Sequence, residues 1–445
     1  MKETASNDLF STKVGAIAAA AGSAVGLGNI WRFPYVLGEN GGAAFLIVYI
    51  ISTILIAIPV LLTEFVIGRK TNLPVSGAYN SLAPGKWWNQ IGIIGVLCAF
   101  IILSFYNVVA GWTMCYTVRS ATGALQGLSE DAIQQAFVSL SENPWECLIW
   151  MVVTIVASAF IVSRGVKRGI EWSSRILMPL LLLLIIVVCV RSLTLDGALQ
   201  GVKFLLSPDF SKITPQSIFE ALGQSFFSLS IGMGTMTTYG AYISKKQNLT
   251  SCAFSVAFVD FVIAFLAALM IMPCAFACGI NPGSGPGLVF VTLPNIFNAI
   301  MFGQAISFVF FLLLFIAALT SSVSLLEVIV AYFMNEHSFS RRKATVVSAI
   351  LIGIFGTLCA FSKTLFGLFD NFSANVMLPL GALFIILFAP LILGRRAMRN
   401  ELEAHGGKCK LFGFYYALVR YVVPIAIVII FANCILSWMG VKMFA

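Results

Sequence analysis

The chain reads as long apolar stretches separated by short clusters of Gly, Pro or charge. The stretches fall at roughly 12–36, 41–68, 88–121, 145–163, 172–194, 216–243, 249–279, 300–334, 343–361, 374–394 and 411–440. A membrane-crossing helix needs about 20 mostly apolar residues, so each stretch predicts one span and the pattern predicts eleven. Two spans break the pattern. The first reads Gly22-Ser-Ala-Val-Gly-Leu-Gly-Asn29 and the sixth Ser228-Leu-Ser-Ile-Gly-Met-Gly-Thr235. Each carries Gly-x-Gly near its middle, and each glycine costs a helix about 1 kcal/mol relative to Ala. Close helix packing through small residues would explain one such span. Two matched interruptions, five spans apart, predict an inverted repeat of five plus five around a central site. The first repeat would cover 12–194 and the second 216–394, with an additional helix at 411–440.

Composition sharpens this. With 59% hydrophobic and 10% charged residues and a mean hydropathy of +0.97, the chain falls far below the roughly 25% charge of soluble domains. A large soluble catalytic domain is excluded, and no nucleophile–base set points to an enzyme. With the N-terminus inside, nineteen Lys and Arg lie in inner segments (Arg69, Arg164, Arg341 and Arg395 among them) and six in outer ones (Arg119, Arg191, Lys203, Lys212, Lys363 and Lys442). That bias predicts a cytoplasmic N-terminus, and the odd span count then puts the C-terminus outside. The net charge of +9 therefore reports orientation and implies no nucleic-acid partner. The first run lacks a strongly basic lead and a cleavage site, and reads as a retained span. His337 and His405 lie in charged connections, which excludes a histidine-rich metal site. The ten cysteines sit mostly in apolar runs, without CxxC, as small hydrophobes. The outer segment 122–143, with Glu130, Asp131 and Glu142, reads as a solvated surface. The uncharged outer segment 277–298, with Gly and Pro over 281–287, suits a re-entrant or capping loop.

Ionisable residues inside spans face cavities and usually serve function. They are Arg32, Glu64, Asp260, Glu327 and Asp370. Asp260 lies in the middle of the seventh span. Arg32 and Asp370, near outer span ends, can pair across a vestibule. For Glu64 and Glu327 a hydrogen bond tying helices together competes with a transport role. In the eighth span, the hydroxyls of Thr320-Ser321-Ser322 either bond back to the preceding turn or serve as hard oxygen ligands for an alkali cation. Unwound backbone at membrane depth must have its N–H and C=O groups satisfied. A bound carboxylate and bound cations would do so.

The string from Gly22 to Tyr35, followed by Glu39-Asn-Gly-Gly-Ala-Ala-Phe45, resembles the signature of the neurotransmitter:sodium symporters in their bacterial amino-acid branch. The resemblance extends over nearly the whole chain. It implies an all-α multi-pass protein of the bacterial plasma membrane, a LeuT-type five-plus-five inverted repeat of eleven helices with helices one and six unwound in the middle. It also implies two sodium sites and no organic cofactor. The first sodium site would use Ala24, Asn29, Ser228, Asp260 and the substrate carboxylate. The second would use Gly22, Val25, Ala317, Thr320 and Ser321. The substrate would lie against Ala24, Gly26, Leu27, Gly28, Tyr106, Phe227 and Ser228. Ile102, Ser230, Met233, Ser321 and Leu325 would complete its side-chain pocket. Arg32 and Asp370 resemble an outer gate pair. One departure concerns the inner gate, where relatives place an Arg–Asp pair beside a Trp. The matching positions here are Asn7 and Asn335, with Phe10 for the Trp. Glu336, Tyr242 and Lys13 are candidate substitutes.

The expected activity is sodium-coupled import of hydrophobic amino acids, aromatic ones within range, by alternating access across the lipid bilayer. Relatives that carry monoamines place an Asp where this chain has Gly26, so here the substrate must bring its own carboxylate. Chloride-dependent relatives have Asn at the Asp260 position, so chloride independence is expected. A channel would need a continuous polar path, and a transport-dead sensor would bind without uptake.

Overall fold

The computed structural model describes residues 9–277, 279 and 288–438. Asn7 and the Gly/Pro run 281–287 lie outside the described residues. Among the described residues eight helices are long and apolar enough to cross a membrane: Ala43–Thr71, Trp87–Ala121, Pro144–Ser163, Val166–Leu193, Leu249–Ala277, Gly303–His337, Arg341–Phe361 and Phe412–Asn433. They correspond to predicted spans two to five, seven to nine and eleven. The other three predicted spans are interrupted. The first is Lys13–Ala24 followed by Gly28–Glu39, bent by 54°. The sixth is Pro215–Ser228 followed by Thr235–Ala241, and the tenth runs from Lys363 to Leu393 through wider turns at Ser373–Met377 and Ala389–Leu393.

Burial is inverted relative to a soluble protein. On the fourth span Ile149, Val152, Val156 and Phe160 are exposed, as are Val346, Ile350 and Ile354 on the ninth. These residues recur every three or four positions, so each helix turns an apolar stripe outward, the face that lipid would cover. Polar side chains are gathered inside: Asn29, Glu64, Ser228, Asp260 and Glu327 are all within 1% of full burial. The most apolar window of the eighth span is 83% buried and that of the third 72%, against 33% for the fourth, fifth and ninth. Spans three and eight therefore form the inner scaffold against which the broken spans pack.

Connecting segments close both ends. The 122–143 segment, expected to be merely solvated, carries a helix at Glu130–Glu142 that starts on the Ser129 side-chain cap and buries Ile133 and Leu140. Its Phe137 stacks on Phe290 at 5.1 Å. Phe290 belongs to the turn Leu288–Thr292 and also meets Tyr116 at 5.2 Å and Trp31 at 6.2 Å. The described part of the outer 277–298 segment thus caps the bundle above the first span. At the basic end, Arg395–Leu402 turns 101° away from the tenth span. Its Glu401 pairs with the fully buried Arg69 at 2.7 Å. Arg69 also donates to the Gln247 carbonyl at 2.6 Å and to the Glu401 carbonyl.

Candidate functional site

The first span leaves helical geometry at Val25, whose φ and ψ are −74° and 105°, and resumes it at Gly28. The backbone groups freed between them find side chains. Gly26 N donates to Asn29 Oδ1 at 3.3 Å, and Leu27 N donates to the Tyr106 hydroxyl at 3.4 Å. The glycines here serve space. A Cβ on Gly26 would lie 2.4 Å from Ser321 Oγ, and one on Gly28 would lie 2.7 Å from the Phe227 ring.

In the sixth span the helix stops at Ser228. Ser230, Gly232 and Gly234 then take positive φ values of 53°, 87° and 77°, a region that favours glycine. Glu64 holds this segment: it accepts from Gly232 N at 2.9 Å, from Thr237 N at 3.0 Å and from Thr237 Oγ1 at 3.0 Å. Of the two readings left open for Glu64, the geometry is that of the helix tie. Glu327 is likewise a tie, accepting from Tyr242 at 2.8 Å and pairing with Arg341 at 2.8 Å.

Asp260 lies between the two breaks. Its Oδ1 accepts from Asn29 Nδ2 at 2.7 Å, and the Ser228 hydroxyl lies 2.8 and 2.9 Å from its two oxygens. Asn29 also donates to Ser228 Oγ at 2.9 Å. The Tyr49 hydroxyl reaches Oδ2 at 3.4 Å, a neighbour the sequence reading missed because nothing local marks it. Asn29, Ser228 and Asp260, expected at one sodium site, thus form one buried hydrogen-bonded cluster, in which Asn29 turns its amide nitrogen to the other two. At the other expected site, Ser321 Oγ lies 3.4 Å from the carbonyls of Ser23 and Val25. Thr320 Oγ1 donates to the Ala317 carbonyl at 3.0 Å. Gly22 faces Ser174 and Met178 of the fifth span.

Beside these clusters is a cavity of about 30 Å³ lined by Ala24, Gly26, Leu27, Gly28, Ile102, Tyr106, Phe227, Ser230, Met233, Ser321 and Leu325, with Ser23 and Ser324. All but the last two were expected. Ser324 lies three residues after Ser321, one helical turn along the same face, so periodicity alone would have found it. Ser228, expected here, turns to Asp260 instead.

Among the described residues Arg32 makes no direct ion pair with Asp370, although its charge acts on the Asp370 carboxyl. Its guanidinium donates to Gln224 Oε1 at 2.6 Å, lies 3.7 Å from Glu220 Oε2 and sits 5.6 Å over the Phe227 ring. Gln224 and Glu220 are four residues apart on the sixth span and share one face, which presents both to Arg32. At the expected inner gate Asn335 donates to Glu336 at 2.7 Å and Lys13 to Ser251 at 2.9 Å. Phe10 N donates to the Tyr242 carbonyl at 2.9 Å, and the Phe10 ring meets those of Tyr239 and Tyr242 edge-on.

Two broken helices meeting beside a buried carboxylate, within an apolar-faced bundle, define a multi-pass secondary transporter rather than an enzyme. The comparisons give the family. The model of the sodium:neurotransmitter symporter family matches residues 7–133 and 132–444, and the chain belongs to that family. It is 41% identical to the uncharacterized sodium-dependent transporter YhdH of Bacillus subtilis, over 96% of this chain and 97% of that one. An uncharacterized sodium-dependent transporter of Haemophilus influenzae is 35% identical, over 95% and 97%. The human sodium- and chloride-dependent GABA transporter 2 is 26% identical, over 88% of this chain and 74% of that protein. The crystal structure of MhsT in complex with L-phenylalanine matches with a TM-score of 0.88 at 42% identity, covering 96% of this chain and 99% of that one. The architecture is the LeuT-type fold, and the chain is a sodium-dependent transporter.

Proposed function

We propose that this protein imports hydrophobic L-amino acids, aromatic ones included, by sodium-driven alternating access that does not need chloride. The observation that carries the reading is the Asn29–Ser228–Asp260 cluster, where a carboxylate joins the two helix breaks. A fixed negative charge among neutral oxygens favours a small cation at low dielectric and does the work that a bound anion would do beside an Asn. Sodium is the cation that would be held there, with a second ion between the first span at Gly22 and Val25 and the eighth at Ala317, Thr320 and Ser321.

Support for the substrate class comes from the cavity wall. Ile102, Phe227, Met233 and Leu325 are apolar, and among the described residues none that lines the cavity is charged. The L-phenylalanine bound in MhsT is of that class. Met233 is unbranched and adapts to several shapes, so several hydrophobic side chains should be accepted. The substrate carboxylate would meet the Gly26–Gly28 backbone beside Tyr106. The N-terminus is assigned to the cytoplasm of a bacterial cell, and residues 12–194 and 216–394 are assigned as the two repeats.

Uptake of labelled phenylalanine into proteoliposomes tests this. An inward sodium gradient should drive accumulation, and replacing chloride with gluconate should leave the rate unchanged. Tryptophan and tyrosine should compete, whereas tryptamine and tyramine should not. Loss of uptake without chloride, or equal displacement by the amines, would refute the role given to Asp260 or to the substrate carboxylate respectively.

A further inference from the structure

Alternating access, on the reading just proposed, requires the segment ahead of the first span to release before the pocket opens inward. We infer that Glu171, at the inner start of the fifth span, is the residue that latches this segment. Glu171 is 1% exposed and gathers donors from one distant segment of the chain and from its own helix. Ser11 N reaches Oε2 at 2.7 Å, and Ser11 Oγ and Thr12 Oγ1 reach Oε1 at 2.6 and 3.3 Å. Arg175, four residues on, pairs with Oε1 at 2.7 Å and donates to Ser11 Oγ at 3.3 Å and to Thr12 Oγ1.

The first span is shaped around this carboxylate. A Cβ on Gly15 would lie 1.9 Å from Glu171 Oε1 and 2.4 Å from its Cδ, so only glycine lets the carboxylate cross the first helical turn. Thr12, which contacts Glu171, is also the N-cap of that helix and accepts from Gly15 N at 3.0 Å. Latch and cap are therefore one unit. Withdrawing the segment breaks charge-assisted hydrogen bonds and uncaps the inner half of the first span together. The residue before Ser11 is Phe10, whose ring covers Tyr239 and Tyr242 of the sixth span. One short segment thus bridges the fifth and sixth spans, and its release uncovers the inner side of the second broken helix. Arg175 stays beside Glu171 along its own helix, so the freed carboxylate keeps a partner and the latch can reclose.

The test is hydrogen–deuterium exchange of the purified full-length protein in sodium, comparing wild type with Gly15→Ala and Glu171→Gln. Gly15→Ala keeps Glu171 and favours the helix, but its methyl displaces the flexible end of Glu171. Both variants should exchange roughly tenfold faster over residues 9–24, the factor expected when a hydrogen bond to a charged group is lost. Beyond that stretch only the end of the sixth span that Phe10 covers, at Tyr239 and Tyr242, should respond. Wild-type exchange over 9–24 in both variants would overturn the latch. Faster exchange spread through the fifth span would also overturn it, because Glu171 would then be a structural residue of that helix. Sodium-coupled transport fails separately, if sodium leaves exchange of the wild type itself unchanged. The latch is read from the ratio of variant to wild type at one sodium concentration.

Discussion

The two helix breaks share a Gly-x-Gly sequence and differ in what the glycines do. In the first span Gly26 and Gly28 give room to Ser321 and Phe227, and neither is among the residues with positive φ. The freed amides there rest on hydrogen bonds of 3.3 and 3.4 Å. In the sixth span the glycines supply backbone conformations that other residues resist. Glu64 then fixes the segment with bonds of 2.9 to 3.0 Å. One break leaves its amides on long hydrogen bonds, and the other is locked in place. The first is the part suited to move, and the sixth the frame against which it moves.

Removing the lock should have the largest effect. Glu64→Ala leaves three donors at Gly232 and Thr237 without their acceptor, each costing roughly 1–3 kcal/mol. Thermal unfolding in detergent should shift by the equivalent of about 3–9 kcal/mol, and a variant as stable as wild type would show that the sixth break holds itself. Next comes the first break's partner in the eighth span. Thr320→Ala with Ser321→Ala removes two oxygens from the proposed second sodium site, and sodium-driven uptake should collapse while the fold persists. Full uptake by the double variant would sink that site.

Asp260→Asn touches both breaks through Asn29 and Ser228. Sodium affinity should fall at least about tenfold as the fixed charge is lost, and added chloride should restore part of it in a sodium-dependent binding assay. The smallest effects sharpen the contrast most. Gly26→Ala should weaken substrate binding by about 1–2 kcal/mol with the melting temperature kept. Gly232→Ala, strained at φ 87° with its Cβ 2.4 Å from the Leu378 carbonyl, should lower the melting temperature first. The same response from both glycines would erase the distinction.

Much of this was legible along the chain. Apolar runs of spanning length mark helices because partition into lipid depends on local composition, and paired glycines mark the breaks because helix propensity is local too. Asp260 stood out because a charge in the middle of a span is costly unless it has work to do. The family signature brought Asn29, Ser228 and most of the cavity wall with it. The tertiary structure alone decided which partners the ionisable groups took. Arg32 turned to Gln224 and Glu220 on the sixth span, Glu64 to the backbone of Gly232, and Glu171 to Ser11, 160 residues away. Hydrophobic burial is nearly directionless and can be read from composition, whereas a hydrogen bond demands two groups within about 3 Å at a set angle. The sequence by itself therefore determined the spans and their interruptions, and only packing decided which polar group meets which.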